Sequence, residues 1–194
     1  LMGKAGLKAK GVYRVDALKR SRHSNAYFTG LGRSRRIVLF DSLLSSHAPD
    51  EILAVLAHEI GHWKKGHVRV QLIGAFLISL AVLYGAYLLL GWPPLYASFG
   101  ITHPVPYAGL LLLSLLAQPV AFFLSPLAGM ISRAFERQSD DFALALTGKS
   151  EALIRALKRL STDNLSNLHP HPLYAWFYYT HPPLVARIER LMRS

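Results

Sequence analysis

Apolar and polar positions along this chain follow three rhythms. In residues 11–17, GVYRVDA, β-branched and polar residues alternate, which predicts a short strand. Residues 25–40, NAYFTGLGRSRRIVLF, hold two such runs around Gly30 and Gly32 and predict a hairpin. From Pro49 the rhythm lengthens. Ile52, Leu53, Val55, Leu56 and Ile60 fall at helical spacing behind Pro49-Asp50-Glu51, a helix start with its acids at the positive dipole end. The third rhythm is the loss of any alternation: residues 70–132 contain no Asp, Glu, Lys or Arg. Within them, residues 70–92 are 23 in number, enough at about 1.5 Å each to cross a hydrocarbon core of about 30 Å. Tyr84, Tyr87 and Trp92 lie toward the outer end, where interfacial aromatics belong. A loop over 91–104 leads to a second span over about 105–130, in which Pro119 and Pro126 predict kinks.

Charge returns at RAFERQSDDFALALTGKS, which predicts a helix closed by Gly148. Ser150 is expected to cap a further helix ending near Leu160. Residues 167–183 predict a loop rich in Pro, His and aromatics, and residues 184–192 a last helix. Residues 1–10 predict a frayed edge or linker. The expected fold is mainly α with a small N-terminal β-hairpin or sheet. One domain, residues 1–69 and 133–194, is expected to be interrupted by a transmembrane helical hairpin, residues 70–132.

Composition sharpens this picture. Hydrophobic residues make up 52% and charged residues 17% of 194, against about 25% charged in an ordinary soluble domain. The net charge of +11 suits a nucleic-acid binder, but its distribution favours another account. Of the 22 Lys and Arg, 13 precede residue 70 and 9 follow residue 132, with none in the loop between the spans. By the positive-inside rule both flanks face the cytoplasm, no nucleic-acid partner is required, and the partner is a lipid bilayer. The absence of cysteine excludes disulfides and thiolate ligands. A chain opening on Leu1 is expected to be part of a longer protein.

The candidate chemistry sits just ahead of the first span, in LAHEIGHWKKGH. Residues four apart on a helix point the same way, so His58 and His62 can hold one Zn²⁺. Glu59, beside the first ligand, can act as general base toward the attacking water. His67, nine residues past His58, falls on the opposite side of a continuous helix and is expected to be solvated or interfacial. A catalytic zinc takes a third protein ligand and keeps an open position. Glu136 and Asp140 share a helix face, and one carboxylate can ligate while the other orients a ligand histidine. By spacing alone a solvated charged turn explains that pair better; the hairpin shifts the balance, because it returns the chain to the side it left. Spacing alone also reads His181 as a loop-ordering residue between Thr180 and Pro182, and Arg187 as half of a helix-surface ion pair.

Four segments then occur in order: SNAYFTGLGRSRRIVLFDSLL, LAHEIGHWKKGH, FERQSDDFA and HPHPLYAWFYYTHPPLVARIERL, with the apolar hairpin between the second and third. From about Val12 onward the chain resembles the type I CAAX prenyl endopeptidases, integral-membrane zinc metalloproteases. The resemblance implies a zincin-like domain with one Zn²⁺ per chain, held by His58, His62 and Glu136, with Glu59 as base. It implies that Asp140 holds a ligand histidine, that His181 supports the transition state, and that Arg187 supports the site. Asn25, Ala26, Tyr27 and Phe28 would form an edge strand that pairs with the substrate backbone. The implied substrate is a lipid-modified or membrane-associated peptide or protein, cut at the cytoplasmic side. The family also has membrane spans ahead of this region, enclosing a chamber, which this chain lacks. Its nearest rival is a membrane quality-control protease of the heat-shock type. A rival of another class is a zinc-containing scaffold without activity.

Overall fold

The structure, a computed structural model, describes residues 1, 3, 5–6, 11–16, 26–29 and 36–193. Contacts divide the chain into two units, one of Leu1–His67 with Gly129–Ser194 and one of Val68–Ala128.

In the first unit, β1 (Val12–Val15), β2 (Ala26–Thr29) and β3 (Arg36–Phe40) form a sheet in the order β1-β3-β2. β2 runs antiparallel to β3, with Ala26 opposite Leu39, while β1 is parallel to β3, with Val12 opposite Ile37. The paired runs of residues 25–40 are thus antiparallel neighbours, and the Gly30/Gly32 turn lies outside the described residues. The central strand buries Ile37, Val38 and Leu39, whereas β1 is exposed throughout. Ala26, Ile37 and Leu39 pack with Leu43, Val55 and Ala156, which seats the sheet on two helices.

Those helices are α2 (Pro49–Lys64) and α6 (Ser150–Asp163); a short α1 (Asp41–Ser46) precedes α2. α2 begins as its sequence predicts. Pro49 gives up no helical donor there, and the Glu51 carboxylate accepts the Ala48 N–H at 3.0 Å. Glu51 is buried, with Arg155 and Arg159 of α6 each 3.5 Å from its oxygens. Alanines at 54, 57, 143 and 152 form the other core with Leu153, Leu157 and Leu191. Small side chains let the helices approach closely, and at Gly61 the close neighbour is backbone. A Cβ there would lie 2.9 Å from the Ser139 Cα and 3.1 Å from its carbonyl oxygen. Backbone cannot yield as a flexible side chain does, so Gly61→Ala is expected to cost about 1–3 kcal/mol. A thermal melt beside wild type measures it.

α3 (His67–Leu90) opens the second unit after a break at Gly66, whose φ of 73° suits glycine. α4 (Pro93–Ala97) occupies the connecting loop, and α5 (Pro106–Thr147) follows. α3 and α5 are both long and apolar enough to cross a membrane. Their side chains stand open, with Leu72, Phe76, Ile78 and Phe123 each more than 60% exposed. Such faces are suited to hydrocarbon, since water would make their exposure costly. Within this unit Tyr96 is fully buried and donates its hydroxyl to the Leu90 carbonyl at 2.8 Å.

Four sequence expectations change. The second span and the charged helix after it are one element: α5 runs 42 residues through Pro119 and Pro126 until Gly148, at φ 65°, closes it. Ser150 is the first residue of α6 and makes no side-chain cap, and that helix continues past Leu160 to Asp163. Residues 167–183 contain a short helix, α7 (Pro172–Tyr178), before α8 (Leu184–Met192). Finally Ala5 is buried and its carbonyl accepts from Lys64 Nζ at 3.3 Å, so the described part of the first ten residues is packed down rather than frayed.

Candidate metal centre

α2 carries His58, Glu59 and His62, and α5 carries Glu136 and Asp140. The chain leaves the first unit after His67 and re-enters it at Gly129, so both helices contribute to the same unit. The His58 and His62 Nε2 atoms lie 3.2 Å apart. Glu136 Oε1 is 3.2 Å from His62 Nε2, and its Oε2 is 3.5 Å from His58 Nε2. Three donor atoms thus converge from His58, His62 and Glu136. A tetrahedral zinc with bonds of about 2.0–2.1 Å separates its ligands by about 3.3–3.4 Å. The donor set therefore fits zinc in spacing and in kind, two imidazoles and one carboxylate.

Each histidine is held from behind. The His58 Nδ1 faces Asp140 Oδ1 at 2.9 Å, so Nδ1–H donates there and Nε2 is the nitrogen turned toward Glu136. Asp140 is in turn gripped by Arg187, whose Nε and Nη2 donate to Oδ2 at 3.0 Å and Oδ1 at 2.6 Å. Burial opposes a charge on His58, but Asp140 and Glu136 outweigh it and raise its pKa to about 9. The same seclusion raises Glu59: loss of water pushes its carboxyl up, against the pull of His58 and His62. A carboxyl raised in this way is better able to hold and release a proton than an ordinary exposed one.

Arg187 is not the surface ion pair that its spacing suggests. Its side chain is only 11% exposed and turns toward α5, with Nη1 also 3.5 Å from Glu136 Oε2. His181 Nδ1 lies 3.1 Å from Glu136 Oε2 on a ring that is 66% exposed, so it borders the site rather than merely ordering its loop. A further contact was not legible in the sequence. Arg133 donates to the carbonyl of Tyr179, two residues before His181, and ties that loop to α5.

His67 also departs from expectation. It is buried, stacks on Phe135 at 4.1 Å, and sets its Nδ1 3.1 Å from the His62 Nδ1. The break at Gly66 undoes the assumption of a continuous helix that placed His67 on the far side. Gly66 was the available signal.

His58, Glu59, Glu136, His181 and Arg187 line a cavity of about 710 Å³ that Ala26 of β2 also borders. β2 lies at an edge of the sheet formed by the described residues. Ala26 is buried and Tyr27 sets its ring edge-on to Phe40, 6.2 Å between centroids. Phe28 sits opposite Ile37 in the ladder. Asn25 lies outside the described residues.

Comparison with known proteins matches peptidase family M48 over residues 1–194. The chain is 39% identical over 184 residues to the CAAX prenyl protease 1 homolog of Arabidopsis thaliana, covering 94% of this chain and 43% of that protein. It is 37% identical over 207 residues to CAAX prenyl protease 1 of Saccharomyces cerevisiae, covering 98% and 46%. The crystal structure of S. mikatae Ste24p superimposes with a TM-score of 0.86 at 37% identity, over 97% of this chain and 47% of that one. The chain thus spans less than half the length of these relatives.

Proposed function

The chain belongs to peptidase family M48, and from that premise we propose that it forms the active site of a membrane zinc endopeptidase acting on prenylated CAAX-type proteins. The observation that carries this reading is the convergence of His58, His62 and Glu136 beside Glu59, in a cavity that β2 borders. The two exposed apolar helices support a bilayer setting. The Lys and Arg flanking them, with none between, support a cytoplasmic site. The substrate class rests on the relatives' names.

His58, His62 and Glu136 would hold the zinc. When bound, it supplies Lewis acidity that acidifies water and polarises the scissile carbonyl. Glu59 takes the proton of the attacking water and passes it to the departing amine. The peptide backbone would add alongside β2, the strand that borders the cavity, which would set the register of the scissile bond. His181, when protonated, keeps one N–H on Glu136 and offers the other to the oxyanion. Asp140, clamped by Arg187, holds His58 in the tautomer that presents Nε2.

The test is cleavage of a farnesylated CAAX peptide beside the same peptide without the lipid, using the purified full chain in detergent micelles. Preferential cleavage of the farnesylated peptide is expected. Cleavage confined to unfolded, unmodified membrane proteins would instead place the chain with the quality-control proteases. Zinc binding without any hydrolysis would make it a scaffold.

A further inference from the structure

The two histidines of the site are backed by different chemistry. Behind His58 stands an anion, Asp140, itself held by Arg187. Behind His62, among the described residues, stands an imidazole instead. The His62 Nδ1 meets the Nδ1 of His67 at 3.1 Å, and the His67 Nε2 meets Gln138 Oε1 at 3.1 Å.

The proton positions along this line follow from its outer end. Gln138 Oε1 can only accept, so the His67 Nε2 carries a hydrogen. A neutral imidazole has one N–H, so the His67 Nδ1 is bare and accepts. The His62 Nδ1 must then donate to it. That leaves the His62 Nε2 with its lone pair free, on the side where it faces His58 and Glu136. An amide 76 positions along the chain from His62 thereby dictates which nitrogen that histidine presents.

The packing makes this line rigid. His67 is 2% exposed and stacks on Phe135 with 8° between the rings. Its ring centroid lies 5.0 Å from that of His62 at 81°, an edge-on contact. Gly66 makes the arrangement possible, since its positive φ ends α2 and lets α3 begin with His67 turned back toward the helix it follows. Phe135 and Gln138 both belong to α5, so the support comes from the same helix that supplies Glu136.

We propose that His67, seated on Gln138, is a positioning residue for His62: it accepts the His62 Nδ1–H and so fixes the ring and tautomer through which His62 binds zinc. The inference rests on the zinc reading above and adds to it a neutral relay on one ligand, paired with the anionic support on the other. Partners of this kind raise metal affinity by roughly 10- to 100-fold when intact.

The measurement is zinc affinity, by competition with a chromogenic chelator, on the full chain in detergent. His67→Phe keeps an aromatic ring for Phe135 and removes the acceptor; it should weaken zinc binding by about 10- to 100-fold. His67→Asn places an oxygen near the former Nδ1 and should restore most of the affinity. The visible spectrum of the Co²⁺-loaded protein should change in His67→Phe and return in His67→Asn, which a packing role alone does not produce. Gln138→Met leaves His67 in place and should weaken binding by about 10-fold, the lower end of that range. Wild-type affinity in His67→Phe, or an Asn variant no better than the Phe variant, overturns the proposal. If His67→Phe does not fold, unchanged affinity in Gln138→Met overturns it. A wild-type chain that binds no zinc defeats the zinc reading itself and this inference with it. Equal, tight binding by wild type and variants defeats the inference alone.

Discussion

Glu59→Gln is expected to reduce peptide hydrolysis by about 10²- to 10⁴-fold while zinc content stays at the wild-type level. The substitution keeps shape and volume, so it opens no cavity beside His58. It removes only the capacity to take a proton. Glu59 contributes no atom to the converging donor set, which belongs to His58, His62 and Glu136. The loss should therefore appear in kcat, with KM little changed, because the amide can still contact bound peptide. At 1.36 kcal/mol per tenfold the expected barrier increase is about 3–5 kcal/mol. Hydrolysis persisting at near wild-type rates in Glu59→Gln would remove Glu59 from the role of base.

Glu136→Gln should have the larger effect on the metal. Its carboxylate is 4% exposed and lies within 3.5 Å of His58, His62, His181 and Arg187. The amide is neutral and offers one oxygen where the carboxylate offers two. Zinc content should fall to near zero and peptidase activity with it. The Glu59 variant, by contrast, keeps its metal. The metal-free protein should also lose stability, because Arg187 and the two histidines lose one of the carboxylates that face them. Removing one member of a buried ionic group costs up to about 3–5 kcal/mol. Metal analysis and a thermal melt in chelator measure the two losses separately. Full zinc occupancy in Glu136→Gln would mean that the third ligand lies elsewhere.

Parts of the site that share one helix are accessible to periodicity. His58 and His62 share a face because they are four residues apart, and the same holds for Glu136 and Asp140. His67 shows where that reasoning stops. Its angle was counted along a helix that Gly66 had already ended, and one residue at positive φ brought a side chain from the far side to the near one. Arg187 shows a second limit. Its pairing with a carboxylate was foreseeable, but its burial was not, because burial depends on what α8 packs against.

By itself the sequence determined what is local or additive. The charge-free stretch over 70–132, the helix start at Pro49, the alternating strands and the HExxH spacing all follow from the backbone's own repeat distances. Tertiary structure decided which histidine each supporting group stands behind. His58 meets Asp140 across 82 residues and His67 meets Gln138 across 71. No repeat distance reaches so far. These contacts require α2 and α5 to pack closely, and at Gly61 a Cβ would lie 2.9 Å from the Ser139 Cα.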